Sequence, residues 1–257
     1  MNLGLQGKTA LVAGSTSGIG LAIAKALAGE GIQVALCGRR LDVAEREASS
    51  LPGAIGVRLD LTSDASVELA VDEVTGTFGG IDIVVLNGGG PPPCAASELT
   101  ATNLAEWLSP MLLAQIHLVS LVLPKMRASG WGRVLAVGSS GVQQPIPHLA
   151  ISNIARSALA AYLKTLAGEV ARDGVTVNLV LPGRIDTERV AALDKNAAAR
   201  DGVDVTVIRD RSQAAIPLGR YGRPEEFGDV AAFLCSDRAS YVTGAQIRVD
   251  GGAIVAL

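Results

Sequence analysis

Residues 8–28 read KTALVAGSTSGIGLAIAKALA, and this stretch decides the fold. Thr9 to Ala13 is a short, mostly apolar run of strand length. Residues 14–20 (GSTSGIG) form a glycine-rich turn, and Leu21, Ile23, Ala24, Leu27 and Ala28 then recur at helical spacing. A strand, a glycine turn and a helix in that order leave backbone N–H groups free at a helix N-terminus, where a pyrophosphate can bind. The glycines there supply a positive φ, close approach of phosphate to backbone, or tight packing of helix on strand. The spacing is GxxxGxG, not the GxGxxG of the general dinucleotide fingerprint.

Outward from this unit, apolar β-type runs alternate with longer helical patterns. Strands are expected at residues 32–37 (IQVALC), 54–59 (AIGVRL), 81–86 (IDIVVL), 133–137 (RVLAV), 175–180 (VTVNLV) and 246–249 (QIRV). Helices are expected at 41–50, 63–77, 104–127 and 151–170. Near-continuous apolar strands separated by helices mean a parallel sheet covered on both faces. The right-handed crossover rule then gives an α/β, doubly wound, Rossmann-type three-layer sandwich with ligands at the carboxyl ends of the strands. No linker, repeat or low-complexity tract divides the 257 residues, so a single domain over 1–257 is expected. Residues 188–216 are polar, charged and poorly periodic, and read as a lid-like insertion at the ligand edge.

Composition narrows the function classes. The chain is 49% hydrophobic but only 3% aromatic, so its core is built from Ala, Val, Leu and Ile. Net charge is -3 with no basic run, which argues against nucleic acid as a partner, because phosphate neutralisation needs clustered Lys and Arg. Cys37, Cys94 and Cys235 are scattered and form no CxxC pair, so neither a metal site nor a disulfide framework is indicated. The N-terminus lacks a secretory pattern, and no continuous apolar run approaches the roughly eighteen residues that cross a bilayer. A cytoplasmic location without membrane contact is the expectation.

The strand ends carry the chemistry. Past the second strand comes Cys37-Gly38-Arg39-Arg40, with no acidic residue to hydrogen-bond the ribose 2′-OH of NAD. Arg39 instead favours a 2′-phosphate, hence NADP (NADPH) over NAD. The third strand ends in Asp60-Leu61-Thr62, where a side-chain oxygen can meet an exocyclic amine, although Thr62 or Ser63 also suits a helix N-cap. The fourth ends in Asn87-Gly88-Gly89-Gly90 before three prolines, a place where a ligand can come close.

The GxxxGIG turn, Asp60-Leu61, Asn87-Gly88-Gly89, Val177-Asn178, residues 182–187 (PGRIDT) and the tail from Gly222 follow one another as in the short-chain dehydrogenases/reductases. The chain resembles that family over its whole length, and its tail resembles that of the β-ketoacyl-ACP reductases. The resemblance implies that Gly14, Ser15, Ser17, Gly18 and Ile19 hold the pyrophosphate and ribose. Asp60 and Leu61 would sit at the adenine, and Asn87, Gly88 and Gly89 under the adenosine ribose. Pro182 and Gly183 would lead to Ile185 and Thr187 at the nicotinamide amide. The turn opens with Ala13 where the family usually has Thr.

In the family, an Asn, a Ser, a Tyr and a Lys one turn after the Tyr carry the reaction. The Tyr moves the proton, with a neighbouring cation pulling its pKa down from near 10. Here Ser139 falls on the Ser position, Ser152 on the Tyr, Arg156 on the Lys and Met111 on the Asn. The chain is similar to a β-ketoacyl-reductase-like subgroup with an incomplete tetrad. Arg156 keeps a positive charge able to hold a ribose hydroxyl but does not release a proton. His148, in the loop 143–148 that would border the substrate, is the nearby side chain able both to give and to take a proton. Tyr162 is too far along the next helix to substitute, and His117 reads as a packing residue.

Two readings follow. One is an NADP(H)-dependent oxidoreductase acting on a small carbonyl, alcohol or acyl substrate by a remodelled proton path. The other is a catalytically inactive member serving as a nucleotide-binding or regulatory subunit. The family resemblance also implies a homotetramer, with a dimer as the alternative, assembled through two helices that are apolar on several faces.

Overall fold

The computed structural model describes residues 2–256. Its centre is a seven-stranded, wholly parallel sheet in the order β3-β2-β1-β4-β5-β6-β7. The strands are β1 (Thr9–Ala13), β2 (Gln33–Gly38), β3 (Ala54–Arg58), β4 (Ile83–Leu86), β5 (Gly132–Val137), β6 (Val175–Pro182) and β7 (Gln246–Val249). The chain winds outward from β1 to β3, then returns to lay β4 on the other side of β1. The strand order therefore reverses between β1 and β4, and the crevice beyond their carboxyl ends is where such sheets bind ligands.

Alternation along β1 splits the core in two. Leu11 and Ala13 face one apolar layer, with Val67, Val74, Leu118, Met126, Leu159 and Leu163. Ala10 and Val12 face the other, with Ile23, Leu27, Phe227, Ala231 and Leu234. Helices α1 (Gly18–Gly29), α2 (Leu41–Ser49) and α9 (Pro224–Leu234) supply the second layer. Helices α3 (Asp64–Phe78), α5 (Ala114–Ser129) and α6 (Ala150–Val170) supply the first. Burial on both faces is why β1, β4 and β5 read as continuous apolar runs.

β1 and β7 lie where the sequence places them, and the other strand limits move by two residues at most. Ser63 caps α3, its hydroxyl accepting from the Ser66 N–H at 3.3 Å. The single helix expected over 104–127 is broken. It becomes α4 (Ala101–Leu108), a π-turn over Ser109–Leu113, and α5. Pro110 lies inside that turn; it has no N–H to give the preceding turn, and its ring crowds the carbonyl four residues back, so the ladder reregisters there. The whole stretch Ala101–Ser129 is long and apolar enough by length and composition to cross a membrane. Its residues Leu118, Val119, Val122 and Met126 pack into the sheet's core.

The poorly periodic residues 188–216 fold as two helices, α7 (Glu188–Asp201) and α8 (Val205–Ala214), turned at Gly202 with φ +66°. Asp194, Ala198 and Ile208 are their buried positions, too few to imprint a helical period on the sequence.

Candidate nucleotide-binding and active site

The glycine turn has the geometry its sequence demands. Gly14 and Gly18 sit at φ +59° and +56°, conformations that a Cβ disfavours. At Gly20 the constraint is packing, since a Cβ would lie 2.2 Å from the Gly14 carbonyl oxygen and 2.7 Å from Asn87 Nδ2. The first N–H groups of α1, from Gly18, Ile19 and Gly20, have no partner four residues back, and Ser17 at the N-cap makes no side-chain cap. They point past the carboxyl end of β1.

Several side chains expected to touch a ligand are committed to the scaffold. Ser15 is fully buried; its hydroxyl donates to Val12 O at 2.7 Å and accepts from the Cys37 N–H at 2.8 Å, clasping β1 to β2. The Ser15 hydroxyl is thus engaged within the sheet. Asn87 spends its amide NH₂ on the carbonyls of Ala13 (3.2 Å) and Gly14 (3.0 Å), bracing the turn from β4. A Cβ at Gly38 would stand 2.6 Å from the Thr16 methyl, so the bare end of β2 seats the turn.

On the adenine side, Arg39 is exposed just past β2. Asp60 accepts from the Thr62 N–H (3.0 Å) and hydroxyl (2.8 Å) at Oδ1. Those bonds, with smaller help from Arg39 and Arg58, hold its carboxyl below the usual range. Its Oδ2 is available outward. Leu61 closes over Gly88, its Cδ1 3.0 Å from where a Cβ would be, while Gly89 faces open space.

On the opposite side, β5 delivers Ser139 two residues past its end. Ser139 Oγ accepts from the Gly141 N–H at 3.0 Å, which leaves its proton to donate. Asn153 pins the following loop, donating to Ile146 O (2.9 Å) and accepting from the Ile146 N–H (3.2 Å). The loop then pairs with the segment after β4, the Cys94 N–H donating to His148 O (2.8 Å) and the Ala150 N–H to Cys94 O (3.1 Å). His148 is exposed at φ +59°, and its backbone carbonyl makes the junction.

Ser152 and Arg156 lie one turn apart on α6, hence on one face. Arg156 Nη1 donates to the Val137 carbonyl at the end of β5. Burial, and secondarily the charge of Arg189, push its pKa down to about 10. Met111 is 4% exposed within the π-turn, and Gln115 supports that turn by donating to Pro110 O at 3.2 Å. None of the three tyrosines reaches this place. Tyr162 is ten residues beyond Ser152, about 15 Å along the helix, and packs on the core. Tyr221 is buried and donates to Asp194 Oδ2 at 2.9 Å, while Tyr241 is fully exposed. His117 lies 3.4 Å from Glu68 on the outer side of the α3–α5 pair.

Past β6, the Gly183 N–H donates to Val249 O at 3.0 Å, and Ile185 bridges to Gly222. Thr187 caps α7 through the Val190 N–H (3.4 Å), with its methyl 3.4 Å from where a Gly18 Cβ would be. Two further contacts hold α7 down. Arg184 Nη1 binds Asp194 Oδ1, and Asp194 is only 2% exposed. Arg189 crosses Gly90 to donate to Pro91 O at 2.7 Å. The sequence reading missed Arg189; its signal was a cation two residues past Thr187, in the first turn of the helix that follows β6. Among the described residues no cluster of His, Cys, Asp and Glu could hold a metal ion.

A seven-stranded parallel sheet with this turn and these strand ends defines a dinucleotide-binding α/β protein. The family model described as enoyl-(acyl carrier protein) reductase matches residues 13–253, and the chain belongs to the short-chain dehydrogenase/reductase family. It is 35% identical to the 3-oxoacyl-[acyl-carrier-protein] reductase of Aquifex aeolicus, over 98% of this chain and 99% of that protein. It is also 35% identical to the L-fucose dehydrogenase of Oryctolagus cuniculus, over 96% of this chain and 85% of that one. Among solved structures, L-sorbose reductase from Gluconobacter frateurii, complexed with NADPH and L-sorbose, superposes with a TM-score of 0.93 at 33% identity and full coverage of both chains. A variant of the actinorhodin polyketide ketoreductase with NADPH superposes at 0.91 and 31% identity, covering 96% and 97%.

Proposed function

We propose that this protein binds NADPH across the carboxyl ends of its strands and acts as an oxidoreductase on a small carbonyl or alcohol, by a proton path without a tyrosine. The observation that carries the reading is Ser139, its hydroxyl proton uncommitted, two residues past Val137, whose carbonyl anchors Arg156 at the end of β5. The residues present fit the cofactor: N–H groups at the start of α1 for the pyrophosphate, Arg39 for a 2′-phosphate, and Ile185 with Thr187 for the carboxamide. When bound, NADPH supplies a hydride to the carbonyl carbon. Complexes of L-sorbose reductase and the actinorhodin ketoreductase with NADPH support the choice of dinucleotide.

Ser139 donates a hydrogen bond to the substrate oxygen while Gly141 N–H fixes its lone pair. Arg156, anchored to Val137 O, presents part of its remaining N–H donors to the nicotinamide ribose and acts as fixed positive charge. Ser152 is a far weaker acid than a phenol, so the proton comes from water, His148 or a ribose hydroxyl. The lid role of α7 and α8 belongs to the same reading.

NADPH fluorescence titration followed by a turnover screen over ketones, quinones and acyl thioesters tests this. Ser139→Ala should abolish turnover while leaving NADPH affinity within about threefold, a change of under 1 kcal/mol. Unchanged turnover refutes the role of Ser139. A second reading, a binding subunit without turnover, is favoured by the engagement of Tyr221 with Asp194 and of Tyr162 with the core, and by the full exposure of Tyr241. NADPH binding with no turnover across the screen selects it. For assembly, exposed Leu113 at the end of the π-turn and Ile154 on α6 support a homotetramer, and a monomeric mass by light scattering would overturn that.

A further inference from the structure

Two guanidiniums are anchored beyond the carboxyl ends of the neighbouring strands β4 and β5, near enough for the charge of Arg189 to help lower the pKa of Arg156. Arg156 comes from α6 and binds Val137 O; Arg189 comes from the first turn of α7 and binds Pro91 O at 2.7 Å. The elements that carry them are tied together. Leu86 and Ala136 are paired in the sheet, so Val137 stands beside Asn87, and the chain runs from there through Gly90 to Pro91. Cys94 in turn bridges Leu149, directly before α6.

Among the described residues neither arginine has a carboxylate within 4.0 Å, whereas Arg184, Arg209 and Arg220 are each paired with one. Glu188, next to Arg189 in sequence, does not share its helix face. Each guanidinium offers five N–H donors and uses one on a neutral carbonyl. The repulsion between them is felt, since the charge of Arg189 helps to depress Arg156. Arg156 is half-buried and Arg189 lies at the exposed rim, and two guanidinium charges without a carboxylate partner form a place that an anion would join. The hydroxyls of Ser139, its proton free, and of Ser152, one turn before Arg156 and without a side-chain hydrogen bond among the described residues, add neutral donors suited to an oxyanion's remaining lone pairs.

We propose that Arg156 and Arg189 together seat an oxyanionic group of the substrate, a carboxylate or a phosphate, so that the chain acts on an anionic carbonyl or alcohol. This rests on the oxidoreductase reading for the word substrate, but the anion seat is measurable without turnover. Arg189, on the helix that covers the site, then links lid position to ligand charge: the anion replaces Pro91 O as a guanidinium partner.

The test is calorimetric titration of the full chain with malonate, with inorganic phosphate and with the neutral isostere malonamide, before and after saturation with NADPH. Malonate or phosphate should bind the NADPH-saturated protein, the tighter of the two naming the anion. Arg189→Gln and Arg156→Gln should each weaken that binding at least tenfold, and malonamide should bind at least tenfold more weakly than malonate. Arg189→Gln changes a side chain at the rim of the fold, so it keeps the test decisive if Arg156→Gln fails to fold. Equal binding of malonamide, or undiminished binding by Arg189→Gln, overturns the proposal. Loss of anion binding on NADPH saturation also overturns it, by assigning the arginines to the cofactor. Failure of NADPH itself to bind sinks the oxidoreductase reading instead, while the anion titration still reports on the seat.

Discussion

Gly20→Ala is the sharpest test of how the nucleotide turn is built. The added methyl would lie 2.2 Å from the Gly14 carbonyl oxygen and 2.7 Å from Asn87 Nδ2, and neither neighbour is the loose end of a flexible chain. The carbonyl belongs to a backbone fixed at φ +59°, and the amide is tied at both Ala13 O and Gly14 O. Relief requires the turn to lift off β4. Overpacking of this kind costs about 1–3 kcal/mol, and loss of the Asn87–Gly14 hydrogen bond adds about 1 kcal/mol. A total near 3 kcal/mol lowers the melting temperature by roughly 6–12 °C in a chain of this size. The same shift turns the α1 N–H groups away from the pyrophosphate; losing one charge-assisted bond of about 1.5–3 kcal/mol weakens NADPH by roughly ten- to a hundredfold. The control is Gly76→Ala inside α3, where a Cβ meets nothing within 4 Å. It should stabilise by up to about 1 kcal/mol through helix propensity. Differential scanning fluorimetry with and without NADPH reads both effects. A Gly20→Ala protein that melts within about 2 °C of the parent and keeps its NADPH shift would refute the packing argument.

Three further outcomes follow from the site. Arg39→Asp should weaken NADPH by roughly ten- to a hundredfold and NADH far less, the loss of one charge-assisted phosphate contact; equal loss of both in fluorescence titrations removes the 2′-phosphate assignment. The double change Ser152→Tyr with Arg156→Lys should raise turnover on simple ketones at least about tenfold, an acid–base gain at the low end of the usual range, and no gain means that more than these two positions blocks ordinary chemistry. Glu226, bonded first to Arg220 (2.7 and 2.8 Å) and then to the Arg223 N–H (2.8 Å), has its pKa lowered from 4.5 to about 2. A depressed carboxyl stabilises the fold above its unfolded pKa and loses that contribution as pH falls through the folded one. Glu226→Gln should therefore flatten the fall in melting temperature between pH 4.5 and 2, and an unchanged slope would remove Glu226 from acid unfolding.

The parts legible in the sequence are those where one physical demand dominates. β1 is apolar because both its faces are buried, and residues 14–20 show glycine where φ is positive or where a Cβ cannot fit. The end of β2 shows arginine because it is open to solvent. Legibility fails where a polar residue has two possible partners. Nothing in the letters GSTSG says that the first serine hydroxyl points into the sheet while the second is left at the helix start. The amide of Asn87 holds carbonyls seventy-odd residues earlier, a contact with no local signature. The π-turn was hidden because an apolar pattern with Pro110 in it still looks helical on both sides. Arg189 was hidden in a segment whose helices bury too little to show a period.

These hidden contacts bear on what a family resemblance in this chain can mean. Ser15, Asn87, Gly20 and the Thr16–Gly38 contact all fix the turn's shape without needing a ligand. Their presence is explained by the cost of unfolding the β1–α1 junction, whether or not hydride ever moves. Ser139 is different, because its acceptor side is fixed by Gly141 while its proton points to no protein partner. Arg156 and Arg189 differ likewise, since among the described residues neither has a carboxylate within 4.0 Å. Stability alone accounts for the first set and not for the second. The case for chemistry therefore rests on three polar groups beyond the neighbouring ends of β4 and β5, and substitutions there, unlike Gly20→Ala, should alter ligand binding or turnover by more than any change in the melting temperature of the free protein explains.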